Sequence, residues 1–99
     1  MTPPDLPMSD AELSKSLEIK NRLGLHARAA AQLVQTASQF DAEITVAKDG
    51  QVVNGKSIIG LMMLAAAQGT CIEVGASGPQ AAAALLAIER LVEQKFNEE

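Results

Sequence analysis

Four short segments of this chain alternate apolar and polar residues, and no other feature restricts its fold as much. They are Ser16-Leu17-Glu18-Ile19-Lys20, the stretch Ala42 to Ala47 with Ile44 and Val46 facing one way, a return segment holding Val52 and Val53, and Thr70 to Ala76. A period of two marks a strand with one buried face and one wet face. A sheet made of such strands needs covering on one side only. The cover is supplied by segments with helical periodicity. Ala27 to Ser38 carries Ala30, Leu33, Val34 and Ala37 on one stripe, Ile58 to Ala67 is a second helix, and a third runs from Pro79 to about Phe96 on Ala84, Leu85, Ile88, Leu91 and Val92. The order β-α-β-β-α-β-α predicts an α+β open-faced sandwich, with a four-stranded antiparallel sheet and three helices on one face.

Local punctuation agrees with this order. Asp49-Gly50 is a tight hairpin signal. Asn54-Gly55-Lys56 is turn chemistry, and the Ser57 hydroxyl is placed to cap the helix that follows. Gly69 is expected to close that helix, and Pro79 suits the start of the last one.

A chain of 99 residues suits a single domain. Residues 15–99 are assigned to it. Residues 1–14, with Pro3, Pro4, Pro7, Asp5, Asp10 and Glu12, read as a flexible N-terminal extension. With two Phe, no Trp and no Tyr, the core must be aliphatic, and no aromatic platform exists for stacking bases. The net charge of −4 also opposes a phosphate-backbone binder, so no nucleic-acid partner is expected. No segment reaches the ~18 apolar residues of a membrane span, and the N-terminus lacks a signal-peptide pattern. The expectation is a cytoplasmic protein without membrane insertion. Cys71 lies in an alternating strand and is read as a buried thiol acting as a small apolar residue. Without a second Cys or a second His, neither a disulfide nor a His/Cys metal set is available, and no metal or other cofactor is expected.

The segment Gly24-Leu25-His26-Ala27-Arg28-Ala29-Ala30 carries the chemistry. His26 is the one histidine, and it stands where a loop becomes a helix. A helix start offers unpaired N–H groups and partial positive charge, which together make an anion site. An imidazole nitrogen there is positioned to take a phosphoryl group whose oxygens meet those N–H groups. Arg28 opposes the helix dipole, and its guanidinium would find a reason for that place in pairing with phosphoryl oxygens. Taken alone, His-x-Arg is a short and common pattern, which more often marks a helix-capping histidine and a surface arginine.

Asn21-Arg22-Leu23-Gly24-Leu25-His26-Ala27-Arg28-Ala29-Ala30 resembles the active-site signature of the HPr family, phosphocarriers of the bacterial phosphoenolpyruvate:sugar phosphotransferase system. A second block, Asn54-Gly55-Lys56-Ser57-Ile58-Ile59-Gly60-Leu61-Met62, resembles the family's regulatory-serine segment. The resemblance runs from about Leu17 to Val92. It implies that His26 accepts phosphate on Nδ1 from enzyme I and passes it to an enzyme IIA domain, with Arg28 compensating the charge. It implies that Ser57 is the target of HPr kinase/phosphorylase in organisms that have one. A phosphate there adds about −1.5 to −2 charges at a helix N-terminus, which alters partner choice without melting the helix. One position departs from the pattern. Where the family usually has proline after the arginine, this chain has Ala29, which restores a backbone donor and loosens the first turn.

The second helix is apolar on nearly every side. Leu61 and Leu64 suit the core, and Ile58, Ile59 and Met62 are left as a docking patch beside the His26 loop, flanked by small Ala27 and Ala31 and by Lys56. A monomer that presents one face to successive partners fits this picture. The alternative from the regulatory class is an HPr-like signalling protein, in a nitrogen-type branch or as a Ser57-phosphorylated corepressor. A self-sufficient enzyme is not expected, since no general base or metal set accompanies His26.

Overall fold

The computed structural model describes residues 12–98. Its elements are β1 (Leu13–Glu18), α1 (Ala27–Ala37), β2 (Glu43–Lys48), β3 (Gln51–Asn54), α2 (Ile58–Met63), β4 (Cys71–Ser77) and α3 (Ala81–Glu93), followed by a 3-10 turn over Lys95–Asn97. The strands form one antiparallel sheet in the order β1-β4-β2-β3. Strands β1 and β2 flank β4, so the crossover through α1 skips one strand position. The crossover through α2 does the same around β2. Two split βαβ units thereby interleave into one layer.

Alternation decides which side is covered. Leu17, Ile44, Val46, Ile72, Val74 and Ala76 are buried, and they meet Ala30, Leu33, Ala37, Leu61, Leu64, Ala84, Ile88 and Val92 from the helices. The predicted open-faced sandwich is the observed architecture. Its hairpin turns on Asp49 at φ 52° and Gly50 at φ 83°, the pair of positive angles that a two-residue turn of matching twist needs.

Several boundaries differ from the sequence reading. Leu13 and Ser14, assigned to the extension, belong to β1 and pair with Ala76 and Gly75. Of the rest of that extension, Glu12 is exposed just before β1 and residues 1–11 lie outside the described residues. Cys71 is exposed rather than buried. With Ile72, Val74 and Ala76 facing the helices, the odd positions of β4 must face away, and Cys71 sits on the uncovered side of the sheet.

Helix α2 stops at Met63, well short of Ala67. Ala65 takes a left-handed φ of 52°, and the Ala66 carbonyl accepts a hydrogen bond from Leu25 N at 2.8 Å. That tie to the loop before α1 overrides the helix propensity of the alanine run. Gly69 therefore closes no helix; its N–H bonds the Ile19 carbonyl at 2.8 Å and extends the β1–β4 pairing. Pro79 lies in the turn before α3, not inside it. Helix α3 ends at Glu93, where Lys20 Nζ is 2.7 Å from the Glu93 carboxylate. That hydrogen bond and charge raise the Lys20 pKa above its ordinary value.

Helices α1 and α2 run antiparallel. Leu25, before α1, bonds Ala66, after α2, while Lys56 Nζ, before α2, donates to the Phe40 carbonyl, after α1, at 3.3 Å. The start of α1 therefore lies beside the end of α2.

Candidate functional site

His26 is the N-cap residue of α1, with extended backbone at φ −82° and ψ −176°. Its Nδ1 accepts a long hydrogen bond of 3.3 Å from the Arg28 N–H. With Nδ1 accepting, the proton of the neutral ring resides on Nε2. The lone pair of Nδ1 is thus directed at the positive end of an eleven-residue helix. The ring is half-buried, and the Arg28 side chain is exposed.

The approach to His26 is rigid, and its local sequence explains why. Asn21, buried to 1% exposure, donates from Nδ2 to the Gly24 carbonyl at 2.7 Å. Gly24 N returns a bond to Asn21 O at 3.2 Å, and Leu25 N reaches Ala66 O. Gly24 sits at φ +70°, and a Cβ added there would lie 2.5 Å from the Ala66 carbonyl oxygen. Only glycine meets both conditions. Asn21 was part of the recognised signature but had no assigned task; it is the brace of this loop.

A hollow beside the ring is lined by Leu23, His26, Arg28, Gln32, Phe96 and Glu98. Sequence reasoning did not find its last two residues. They come from the far end of the chain, and no local pattern couples them to His26.

Ser57 lies where expected, as N-cap of α2, its Oγ accepting from Gly60 N at 3.0 Å. The antiparallel packing places it at the end of α2 remote from His26. Replacing Ser57 with alanine leaves that N–H unpaired and should destabilise the fold by about 1 kcal/mol. Urea unfolding followed by circular dichroism measures this as a lower midpoint at unchanged slope.

The apolar face of α2 is open to solvent. Ile59 is 73% exposed, and Ile58, Met62 and Met63 are exposed as well. Met63 was not among the expected patch residues. Its position within the apolar run of α2 gave a signal, but the expected longer helix obscured it. Ala27 is exposed and Ala31 half-buried. The exposed Lys56 has its ammonium engaged with the end of α1 through the Phe40 carbonyl. The patch thus extends from Ser57 at one end of α2 toward the His26 loop at the other. Among the described residues, no group of three His, Cys, Asp or Glu side chains is placed to hold a metal, and no helix is long and apolar enough to cross a membrane.

A family model described as the PTS HPr component phosphorylation site matches residues 13–94. The chain belongs to the HPr family. It is 54% identical over 86 residues to the phosphocarrier protein HPr of Neisseria meningitidis, covering 87% of this chain and 97% of that one. It is also 45% identical to the phosphocarrier protein NPr of Shewanella violacea, over 88% of this chain and 96% of that protein. Among solved structures, the HPr of Thermoanaerobacter tengcongensis superposes with a TM-score of 0.84 at 47% identity, covering 88% of this chain and 98% of the other. HPr proteins are phosphocarriers of the phosphotransferase system, carriers by family rather than catalysts.

Proposed function

We propose that this HPr protein accepts a phosphoryl group on Nδ1 of His26 from the phosphohistidine of enzyme I and delivers it to an enzyme IIA domain. The observation that carries the proposal is the Nδ1 lone pair pointing at the first N–H groups of α1 beside Arg28. In the transfer, that lone pair attacks phosphorus as the nitrogen–phosphorus bond of the donor breaks, and the electron pair of that bond returns to the donor ring. The Arg28 N–H, released from Nδ1, is then free to meet a phosphoryl oxygen. Ala29 adds an N–H that proline would lack, and the Arg28 guanidinium offers charge-assisted pairing. Delivery to the IIA domain reverses the same bond changes.

Ile58, Ile59, Met62 and Met63 would supply the docking face shared by both partners. Met side chains adapt to surfaces of different shape. Ala27 and Ala31 permit close approach, and Lys56 adds positive charge at the rim. Replacing Ile59 with glutamate should slow transfer from enzyme I by about ten- to a hundredfold, since a central contact and its desolvation are worth about 1.4–2.8 kcal/mol. Ile59 is mostly solvent-exposed, so the thermal midpoint should hardly move. Transfer rates at several enzyme I concentrations, with a thermal melt beside them, check this.

The Ser57 hydroxyl is the proposed target of HPr kinase/phosphorylase in organisms that carry it. The acidic phosphate would repel acidic partner surfaces and attract arginine clusters. We place the chain in the cytoplasm as a monomer, where one face meets each partner in turn. The regulatory reading as a nitrogen-type branch is supported by the 45% identity to an NPr protein; the corepressor form rests on Ser57 and on the 39% identity to the Bacillus subtilis catabolite repression HPr.

Incubation with enzyme I and radiolabelled phosphoenolpyruvate tests the carrier role. An acid-labile, alkali-stable label at His26 supports it. No label from a competent sugar-type enzyme I, with loading by its nitrogen-type counterpart, assigns the chain to the regulatory branch. No label from either removes the carrier reading.

A further inference from the structure

Ala65 stands between the apolar face of α2 and the segment that touches the His26 loop, and its backbone is left-handed at φ 52°. It follows the C-cap Leu64, a place where left-handed backbone is common and glycine is the usual residue. An alanine there is strained, and such strain persists only where the surroundings hold it. The Ala65 side chain is exposed, so no packing of its own offsets the cost. The hold comes from the next residue. Ala66 is 3% exposed, and its carbonyl accepts the Leu25 N–H at 2.8 Å. The Ala66 carbonyl and the Ala67 Cα also crowd Gly24, where a Cβ would lie 2.5 Å and 3.1 Å from them.

The local sequence pulls the other way. Leu64-Ala65-Ala66-Ala67 consists of strong helix formers. Two arrangements therefore compete for the same four residues. In the first, Ala65 is strained and the Ala66 carbonyl holds Leu25. In the second, α2 winds on through Ala67, the strain is relieved, and the Leu25 N–H loses its partner.

We propose that Ala65 is a positioning residue, a strained hinge through which α2 sets the His26 loop. Closed, it fixes Leu25 and with it the ring of the next residue, whose Nδ1 accepts from the Arg28 N–H. Open, it lengthens α2 and frees the loop. Met62 and Met63 lie three and two residues before the hinge. A partner seated on them shifts the balance by as much as it binds one arrangement better than the other. That use rests on the docking and carrier readings, but the hinge itself is testable in the free chain.

Amide hydrogen exchange provides the test, on the full chain as Ala65→Gly, Ala65→Asn, wild type and Ala65→Val. Tolerance of left-handed backbone falls in that order, and at an exposed position no substitution disturbs the core. Protection of the Leu25 amide should fall in the same order. Ala65→Gly should slow Leu25 exchange by about five- to thirtyfold. The amides of Val46 and Val74, on the two inner strands, should slow by less, because glycine also loosens the unfolded chain. The His26 ring nitrogen resonances, read with the ring neutral, should shift along one line through the series. A merely structural change at Ala65 leaves them in place. Circular dichroism establishes that each variant is folded, and the ranking of Gly, Asn and wild type decides alone if Ala65→Val is not. Equal Leu25 protection across the series, protection that only follows Val46 and Val74, or fixed His26 resonances while Leu25 varies would each overturn the hinge. Failure of enzyme I to label the chain would instead count against the carrier reading and leave these results standing.

Discussion

With His26 replaced by alanine, enzyme I and phosphoenolpyruvate should leave the chain unlabelled, a loss to background. His26 is the only histidine of the chain, and no neighbouring side chain of the hollow is an equivalent nucleophile. Arg28 has no lone pair to offer, Gln32 is an amide, and a phosphoryl group on Glu98 would be a mixed anhydride, labile to alkali as phosphohistidine is not. Because His26 also caps α1, the alanine variant should lose about 1 kcal/mol of stability. In a domain this size that is a fall of roughly 4–8 °C in the thermal midpoint. A second variant separates the two roles. His26→Asn supplies a good cap and no nucleophile, so it should melt near wild type and still accept no label. Acid-labile label on either variant would place the acceptor elsewhere and remove His26 from the mechanism.

Gly24→Ala should be strongly damaging for a change of a single methyl group. At φ +70° an L-residue is disfavoured by about 1–2 kcal/mol, and the new methyl would stand 2.5 Å from the Ala66 carbonyl oxygen. That oxygen belongs to backbone, so the loop must shift, and the Leu25–Ala66 hydrogen bond stretches or breaks. Together these should destabilise the fold by about 2–4 kcal/mol, lowering the thermal midpoint by roughly ten degrees or more. The His26 ring moves with the loop, so phosphorylation at a temperature where the variant is folded should also slow. A wild-type melt would show that the loop absorbs the methyl at no cost. It would also weaken the claim that Gly24 and Asn21 together hold His26 at the helix start.

Local features of this molecule were legible in its sequence. His26 at the start of a helix, Ser57 as a cap, Asp49-Gly50 as a hairpin and the one-sided sheet all follow from neighbours within a few positions. Features that needed tertiary contact were not. The alanines after Leu64 favour helix, yet a carbonyl drawn to the Leu25 amide ends α2 early. Cys71 was misplaced by one step of phase, because a small thiol flanked by Thr70 and Ile72 reads as either face until Ile72, Val74 and Ala76 set the parity. Phe96 and Glu98 carry no local mark of their destination, since a three-residue left-handed run built from Lys, Phe and Asn has no pattern that announces it.

The antiparallel packing of α1 and α2 sets His26 and Ser57, the two groups proposed to carry phosphate, at opposite ends of one apolar strip. Neither hydroxyl nor imidazole needs to touch the other for a partner to distinguish four chemical states of the chain: unmodified, modified at either end, or modified at both. Under the proposed function, a protein docked along the strip would read both ends at once, with the six-residue length of α2 as the ruler between them. Under the proposed function, a partner's selectivity would then be written in the spacing of its own charges, with a cation or an acidic group set about one short helix apart.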